Sequence, residues 1–410
     1  MTDNQIKLLL YSIGIILVIF VAWKVLKFLI EIAWKGLCDI FYRYNTILVI
    51  FYIFFLFPVA ACHIMILGWL DESNDTPLED EETKEKEDIK PIKPTNEDLN
   101  SRIKDAQSTN VKKLLALNAC DGCDLSGENL SKFELISASI KNTDLTGANL
   151  SSTILTWAIL SESNLNNANL EQANLEKAHC WETQFKDANL RRAVLCWTFL
   201  ENSNFENANL ELADLHQANL EGANLKGANL EGANLENANL NGANLESANL
   251  KGALLSGASF EKAILTNANL SGSEIGLTNF NSANLRKAKL NNLILGQEDE
   301  NYYTSSVILT SFKNADLTEV EFTQSSLIYV KFEGTNLTKA NFLGSALPQS
   351  DFTNSNLSKA NLTGTNLRNA NFTNANLEDA NFTESDLRDA NIKQAVLLNT
   401  ITPWGVENEN

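Results

Sequence analysis

The sequence is poor in the residues that most often catalyse reactions or bind metals. Only three histidines, His63, His179 and His216, occur in 410 residues. His179 stands beside Cys180, but Cys180 takes a position where the surrounding pattern has a buried leucine, so no base and nucleophile pair is expected. No histidine cluster or repeated cysteine pair suggests zinc. The composition favours a protein that is not an enzyme and has no metal, cofactor or small-molecule substrate.

Positive charge is also scarce. Lysine and arginine total 32 against 51 aspartates and glutamates, which gives a net charge of −19. A nucleic-acid-binding surface needs a basic patch to neutralise phosphates. Direct binding to nucleic acid is therefore disfavoured.

A period of five residues is what the sequence has in abundance. From Leu125 to Leu295 a large hydrophobic residue recurs at every fifth position, with a small residue two places before it and usually Asn or Asp just before it. This period matches neither a helix at 3.6 nor a strand at 2. Self-similarity at a short fixed period indicates a solenoid, whose units stack because none can bury its apolar face alone.

The spacing of phenylalanines predicts four pentapeptides to a coil. In the second half of the chain every other central position holds Phe, and in the first half Phe residues pair at twenty-residue spacing. If one coil has twenty residues, these rings stack directly and the alternating ones fill two opposite inner walls. The residues concerned are Phe185 with Phe205, Phe260 with Phe280, and Phe312, Phe322, Phe332, Phe342 and Phe352.

The Ala-Asn/Asp-Leu-x-x units, best formed from Ala208 to Leu250, resemble the pentapeptide-repeat family. The resemblance covers roughly residues 120–400 and implies an all-β solenoid, a right-handed quadrilateral β-helix. Leu or Phe would fill a narrow interior, only Ala, Ser, Thr or Cys would fit at the second inward site, and Asn would bond backbone at the corners. Glycines two places after the Leu, such as Gly222, would ease the turns.

The repeat is interrupted once. The first register runs over 120–295, a break covers 296–306, and a second register runs over 307–398, followed by a tail or short cap at 399–410. The break is either a tolerated loop insertion or an acidic, tyrosine-bearing protrusion that a partner recognises (Glu298, Asp299, Glu300, Tyr302, Tyr303).

Residues 1–70 are expected to form a membrane anchor of two helices. The segments 8–30 and 46–70 are each long and apolar enough to cross ~30 Å of hydrocarbon. A cleaved signal peptide is the alternative for the first segment, but its apolar run is long and a second span follows. Pro58 and His63 in the second span fit a packed helical hairpin better than a proton-handling role.

Basic residues set the expected orientation. The loop between the spans and its flanks carry most of them, whereas the chain after the second span begins with acids. By the positive-inside rule the loop is cytoplasmic. The β-helix is then expected on the non-cytoplasmic side, in the periplasm or thylakoid lumen. The basic residues of the loop and its flanks are Lys24, Lys27, Lys35 and Arg43, and the acids after the second span are Asp71, Glu72 and Asp75.

Two segments join the anchor to the repeat. Residues 71–94 are acidic and poor in apolar side chains, which predicts a disordered linker. Residues 95–119 have a helical pattern and are expected to form one or two short helices that cap the first coil.

The cap leads into Cys120-Asp121-Gly122-Cys123-Asp124-Leu125, a run that resembles the start of exported pentapeptide-repeat proteins of oxygenic phototrophs, including those of the thylakoid lumen. Three interpretations of Cys120 and Cys123 remain open. They are buried small residues, a disulfide that staples the cap, or a redox or metal site.

One group of outward positions departs from the polar pattern. A twenty-residue coil places Trp157, Lys177 and Trp197 in a single column, with Ile159 and Phe199 beside it and Trp181 on the next face. Exposed apolar patches often mark interaction sites, and Trp is favoured at binding hot spots. The alternative is a local packing variant covered by the cap or linker.

Two functions follow from these features. The first is a membrane-tethered structural or protein-interaction scaffold, bound to lipid through its two helices and to an unknown protein partner. The alternative is a cytoplasm-facing acidic rod that imitates DNA and binds a topoisomerase-like enzyme, as some family members do. Seven glutamates that directly follow a central Leu or Phe motivate it: Glu201, Glu206, Glu211, Glu221, Glu231, Glu236 and Glu246.

Overall fold

The computed structural model describes residues 108–295 and 310–407. The predicted membrane spans, the acidic linker, the first part of the helical cap and the break at 296–306 lie outside them. No helix within these two ranges is long and apolar enough to cross a membrane.

The described chain forms a four-sided β-helix with twenty residues to a coil. Isolated parallel bridges join residues twenty apart, from Ala119 with Ser139 to Asn381 with Ile401, and four of them occur in each coil. The predicted coil of four pentapeptides is confirmed. Each coil therefore has four flat walls separated by four corners.

A single pentapeptide explains the period of five. The central residue points inward, as Leu220 does at 0% exposure, and its N–H donates to the carbonyl of Asn239 one coil later at 2.7 Å. Two turn residues follow, and the second adopts the left-handed conformation (φ 67° at Gly222). The N–H of the next small residue, Ala223, donates back to the Leu220 carbonyl at 3.0 Å. Ala223 is buried, and the residue after it points outward to start the next wall.

The asparagine before each central residue bonds in two directions. The Oδ1 atom of Asn189 accepts the backbone N–H of Arg191 at 3.2 Å, which closes the corner as expected. Its Nδ2 atom donates to Oδ1 of Asn169, one coil earlier, at 3.0 Å. This amide ladder runs along one wall from Asn129 to Asn269. Asparagine thus links neighbouring coils as well as closing turns.

The core is a continuous stack of inward side chains, in which phenylalanines form ladders. On one wall each ring stacks on the next at centroid distances of 4.8–5.3 Å. On the opposite wall Phe322 stacks on Phe342 at 4.9 Å and meets Phe312 edge to face. The prediction of two opposite phenylalanine walls is confirmed. The first ladder is Phe260, Phe280, Phe312, Phe332, Phe352 and Phe372.

The expectation that only Ala, Ser, Thr or Cys fits the second inward site was wrong. Leu293, Val320 and Val330 occupy this site and are buried there. All three lie in the coils that adjoin the break.

The β-helix continues in register across the break. Asn279 bridges Ser311, and Lys289 bridges Glu321, so the partners are thirty-two residues apart instead of twenty. Phe280 stacks on Phe312 at 4.8 Å. The twelve extra residues therefore leave the order of the walls unchanged.

The two ends differ. Helix α1, Thr109–Leu117, begins after Ser108, whose side chain accepts from the N–H groups of the first turn, and it buries Val111 and Leu114 against the first coil. At the other end, strands β1 (Thr400–Thr402) and β2 (Gly405–Glu407) form an antiparallel hairpin. The last inward residues are only partly buried: Leu387, Ile392, Ala395 and Leu397.

Candidate functional site

A column of largely apolar outward side chains runs along one wall of the β-helix, in its second to fourth coils. Ile159, His179 and Phe199 are outward residues joined by consecutive bridges, and the rings of His179 and Phe199 stack at 4.8 Å. The next outward residues of the same wall, Asn219 and Asn239, are polar. We call the wall segment with Ile159, His179 and Phe199 the aromatic wall.

A second column flanks the aromatic wall at one corner. Trp157, Lys177 and Trp197 are the second turn residues of successive coils and all have positive φ, near 60°. Trp157 and Trp197 are 50% and 51% exposed. The Lys177 Nζ atom lies 5.3 Å from the centroid of the Trp157 ring and 2.8 Å from Oε1 of Glu176, which holds the ammonium group over the ring face.

The corner at the other end of the aromatic wall carries Trp181 and several acidic residues. Lys141 Nζ lies 5.6 Å from the centroid of the Trp181 ring. The acids are turn residues of four successive coils, and we call this edge the acidic corner: Glu162, Glu182, Glu201 and Glu221.

The structure thus brings together every residue of the predicted patch. Trp157, Trp197 and Phe199 are exposed, and Lys177, Ile159 and Trp181 are half-buried beside them. Leu212 and Ile264 are also exposed, but each stands singly among polar neighbours.

Two neighbours of the patch were missed by sequence reasoning. The ring of His216 meets Trp197 edge to face at 6.5 Å. The Cys196 thiol lies 3.4 Å from Oδ2 of Asp214, and burial followed by the Asp214 charge raises its pKa to about 11. His216 and Asp214 lie one coil after Trp197 and Cys196. The twenty-residue period could therefore have predicted both contacts from the sequence.

The seven glutamates of the acidic series do not form a bare charged strip. Four lie within ion-pair distance of a lysine or arginine one coil away, and Glu236 lies 3.9 Å from the Nδ1 atom of His216. Hydrogen bonds from Asn249 and Lys251 lower the pKa of Glu231 below its ordinary value. The four pairs are Lys186–Glu206, Arg191–Glu211, Lys251–Glu231 and Lys226–Glu246.

The cysteine pair lies at the start of the β-helix. A disulfide joins Cys120 and Cys123, and both residues are buried at inward sites. Lys113 of helix α1 has its Nζ atom 3.6 Å from Sγ of Cys123. The disulfide therefore closes the first turn directly beneath the helix.

Within the described residues, no group of three or more His, Cys, Asp or Glu side chains could hold a metal ion. Burial raises the pKa of the Cys180 thiol well above its ordinary value, which keeps it protonated beside His179.

The coil and its four walls define a β-helical repeat protein whose interior is filled by inward side chains. Comparison with protein families matches pentapeptide repeats in eight copies, at 120–151, 153–192, 188–227, 218–257, 243–280, 263–296, 310–344 and 355–394. The chain belongs to the pentapeptide repeat family. Such repeats fold as right-handed quadrilateral β-helices, in agreement with the architecture described above.

Several solved structures are similar to this chain. HetL, a pentapeptide repeat protein involved in heterocyst differentiation regulation from the cyanobacterium Nostoc sp. strain PCC 7120, is 26% identical over 73% of this chain and 98% of its own, with a TM-score of 0.29. A pentapeptide repeat protein from the Arabidopsis thaliana thylakoid lumen is 33% identical over 25% of this chain and 65% of its own, with a TM-score of 0.17. QnrB1, a plasmid-mediated fluoroquinolone resistance protein, is 21% identical over 46% of this chain and 84% of its own, with a TM-score of 0.22. No curated protein matches.

Proposed function

We propose that this protein is a membrane-tethered scaffold whose β-helix presents the aromatic wall and its flanking tryptophans to a protein partner outside the cytoplasm. The observation that carries the proposal is the cluster of exposed aromatic side chains on a wall whose later outward residues are polar. Contiguous apolar patches of this kind mark interaction sites.

The β-helix suits this role because its surface is preorganised. Trp157 and Trp197 stand on turns that are fixed by hydrogen bonds to the next coil, from Trp157 N–H to Glu176 and from Trp197 N–H to His216, each at 3.0 Å. A rigid surface loses little conformational entropy when a partner binds. Large aromatic side chains on such a surface are frequent hot spots.

The tether and the compartment rest on the sequence and the disulfide. The segments 8–30 and 46–70 are long enough to span a membrane, and the basic loop between them favours a non-cytoplasmic β-helix. Disulfides persist in oxidising compartments, so the Cys120–Cys123 bond supports the periplasm or thylakoid lumen.

The first experiment tests the topology. A Ser73→Cys variant, in a background with Cys38 and Cys62 replaced by Ser, is labelled with a membrane-impermeant maleimide on sealed, oriented membranes. Labelling from the non-cytoplasmic side alone is expected. Labelling from the cytoplasmic side alone would overturn the proposed location and favour the acidic DNA-mimic alternative, which the net charge of −19 motivates.

The second experiment tests the docking surface. A photoreactive phenylalanine analogue is placed at Trp197 in the full chain, and a matched control carries it at Leu212. Leu212 is also a second turn residue with positive φ and is 45% exposed, but it stands alone at another corner. A discrete cross-linked partner at position 197 and none at 212 is expected in native membranes. Equal cross-linking from both positions would refute docking at the aromatic wall.

A further inference from the structure

The acids of the acidic corner differ from several other glutamates of the same coils. Glu162 and Glu182 are exposed, and no lysine, arginine or histidine of the described chain forms an ion pair with them or with Glu201 and Glu221. In the same stretch, Glu171, Glu206, Glu211, Glu231 and Glu246 each have a cationic partner one coil away.

The series of acids without a cationic partner is limited at both ends of the acidic corner. At its N-terminal end Lys141 lies against the Trp181 ring, and at its C-terminal end Glu261 pairs with Lys262 at 3.0 Å. The unpaired acids therefore accompany the exposed aromatic residues and do not continue along the whole corner.

Glu201 lies where the acidic corner meets the aromatic wall. Its Oε1 atom accepts a hydrogen bond from Asn219 Nδ2 at 2.6 Å, whereas its Oε2 atom is buried and has no hydrogen-bond donor among the described residues. Trp197, Phe199 and Glu201 follow one another across a single coil, from corner to wall to opposite corner. The exposed ring of Trp197 and the unsatisfied carboxylate oxygen of Glu201 thus lie in the same coil, at the two ends of one wall.

We propose that the partner docks through a basic segment that carries apolar side chains. Its lysines or arginines face the acidic corner, and its apolar side chains pack against Trp157, Trp197 and Phe199. This inference rests on the proposed docking function and adds the chemistry of the partner. Charge complementarity selects a basic protein over anionic lipid or nucleic acid, because an uncompensated acidic edge repels both.

Ionic strength should affect this contact strongly. Glu162, Glu182 and Glu221 are exposed, so each contributes little affinity by itself and acts mainly through the rate of association and the rejection of other partners. Their effect extends over a Debye length of about 10 Å at 0.1 M salt.

The test uses the full chain and three synthetic peptides labelled with a fluorophore, with binding followed by anisotropy. The first peptide alternates Lys and Phe, the second replaces Lys with Glu, and the third replaces Phe with Ser. The first should bind most tightly and weaken as salt is added. Equal binding of the second or the third would overturn the proposal, because charge sign or apolar contact would then be irrelevant.

Two variants with the same change in net charge distinguish an effect of the acidic corner from an effect of total charge. The E162Q/E182Q protein should bind the Lys-Phe peptide about two- to tenfold more weakly, in line with the small contribution of each exposed pair. The E206Q/E246Q protein has the same change in net charge, but its glutamates are already paired with Lys186 and Lys226. Equal weakening in both variants would overturn the inference.

The inference and the proposed function can fail separately. If the Trp197 cross-link to the native partner keeps its yield in E162Q/E182Q at low salt, the docking surface stands and the basic-partner inference falls. Absence of the cross-link in the otherwise unaltered protein refutes the docking function itself.

Discussion

The ring of Phe332 lies almost parallel to the ring of Phe352, one coil later, with centroids 4.9 Å apart and planes inclined by 4°. The same Phe332 ring meets Phe322 of the opposite wall at 82° and 5.9 Å. Aromatic pairs gain about 0.5–1.5 kcal/mol beyond their buried area in such offset and edge-to-face arrangements. The alternation of Phe and Leu along the second register thus has a direct energetic basis.

Phe332→Ala should destabilise the β-helix by about 3–5 kcal/mol, because it removes all four ring contacts of Phe332 and leaves a cavity. Phe332→Leu should cost less, since leucine occupies the same inward position in earlier coils, for example at Leu220. Urea unfolding of the full chain, followed by circular dichroism, measures both. An unfolding midpoint of Phe332→Leu equal to that of the unaltered chain would show that ring stacking does not stabilise this wall.

Gly276 is required by a close backbone approach. A Cβ atom at this position would lie 2.4 Å from the carbonyl oxygen of Leu295, one coil away, whereas a Cβ at Gly252 would meet nothing within 4 Å. Gly252→Ala introduces a left-handed alanine, which costs about 1 kcal/mol. Gly276→Ala should cost about 1–3 kcal/mol more than that, because backbone must move. The difference in thermal midpoint measures this, and a smaller loss in Gly276→Ala than in Gly252→Ala would contradict it.

The disulfide should stabilise the first coil and helix α1. Closing a loop of four residues contributes about 2 kcal/mol in the chain-entropy view, since the unfolded chain loses freedom. Cys120→Ser/Cys123→Ser should therefore show faster amide exchange in α1 and in the first coil, and unchanged exchange around Phe332. Uniform acceleration throughout the β-helix would indicate global destabilisation instead.

The Cys196 thiol should react slowly at mildly alkaline pH. Its pKa is raised to about 11, by burial first and then by Asp214, and only the thiolate is nucleophilic. Asp214→Asn removes a negative charge that opposes ionisation, so the pKa should fall and iodoacetamide modification should become faster at a given pH. Modification rates against pH, measured with Cys38 and Cys62 replaced by Ser and the disulfide intact, give this shift. An unchanged midpoint would exclude Asp214 as a cause.

The architecture was largely predictable because the inward positions recur at a fixed spacing through the repeat. Any residue that fills one coil lies directly under its counterpart twenty positions later, so the spacing of Phe260 and Phe280 reveals the coil length. The same rule places Trp157, Lys177 and Trp197 in one column. Both predictions depend only on backbone register, which the sequence specifies strongly.

Side-chain choices at the surface could not be predicted in the same way. Glu211 pairs with Arg191, whereas the Glu221 carboxylate accepts a hydrogen bond from Asn239 and has no ion-pair partner among the described residues, although both follow a central leucine. The difference depends on which residue stands one coil away and on the rotamers of two flexible side chains. The valines at the small inward site, Val320 and Val330, likewise depend on local packing next to the break, which a five-residue pattern does not encode.

Each coil lengthens the β-helix by about one strand spacing, so the position of a residue along the axis depends on the number of coils before it. Deleting 221–240 would join Leu220 to Asn241 in phase and shorten the structure by about 4.8 Å while every remaining wall keeps its residues. Inserting twenty residues before Trp157 would instead lift the aromatic wall by the same step away from helix α1. The distance between helix α1 and the aromatic wall is thus set by the number of repeats that separate them.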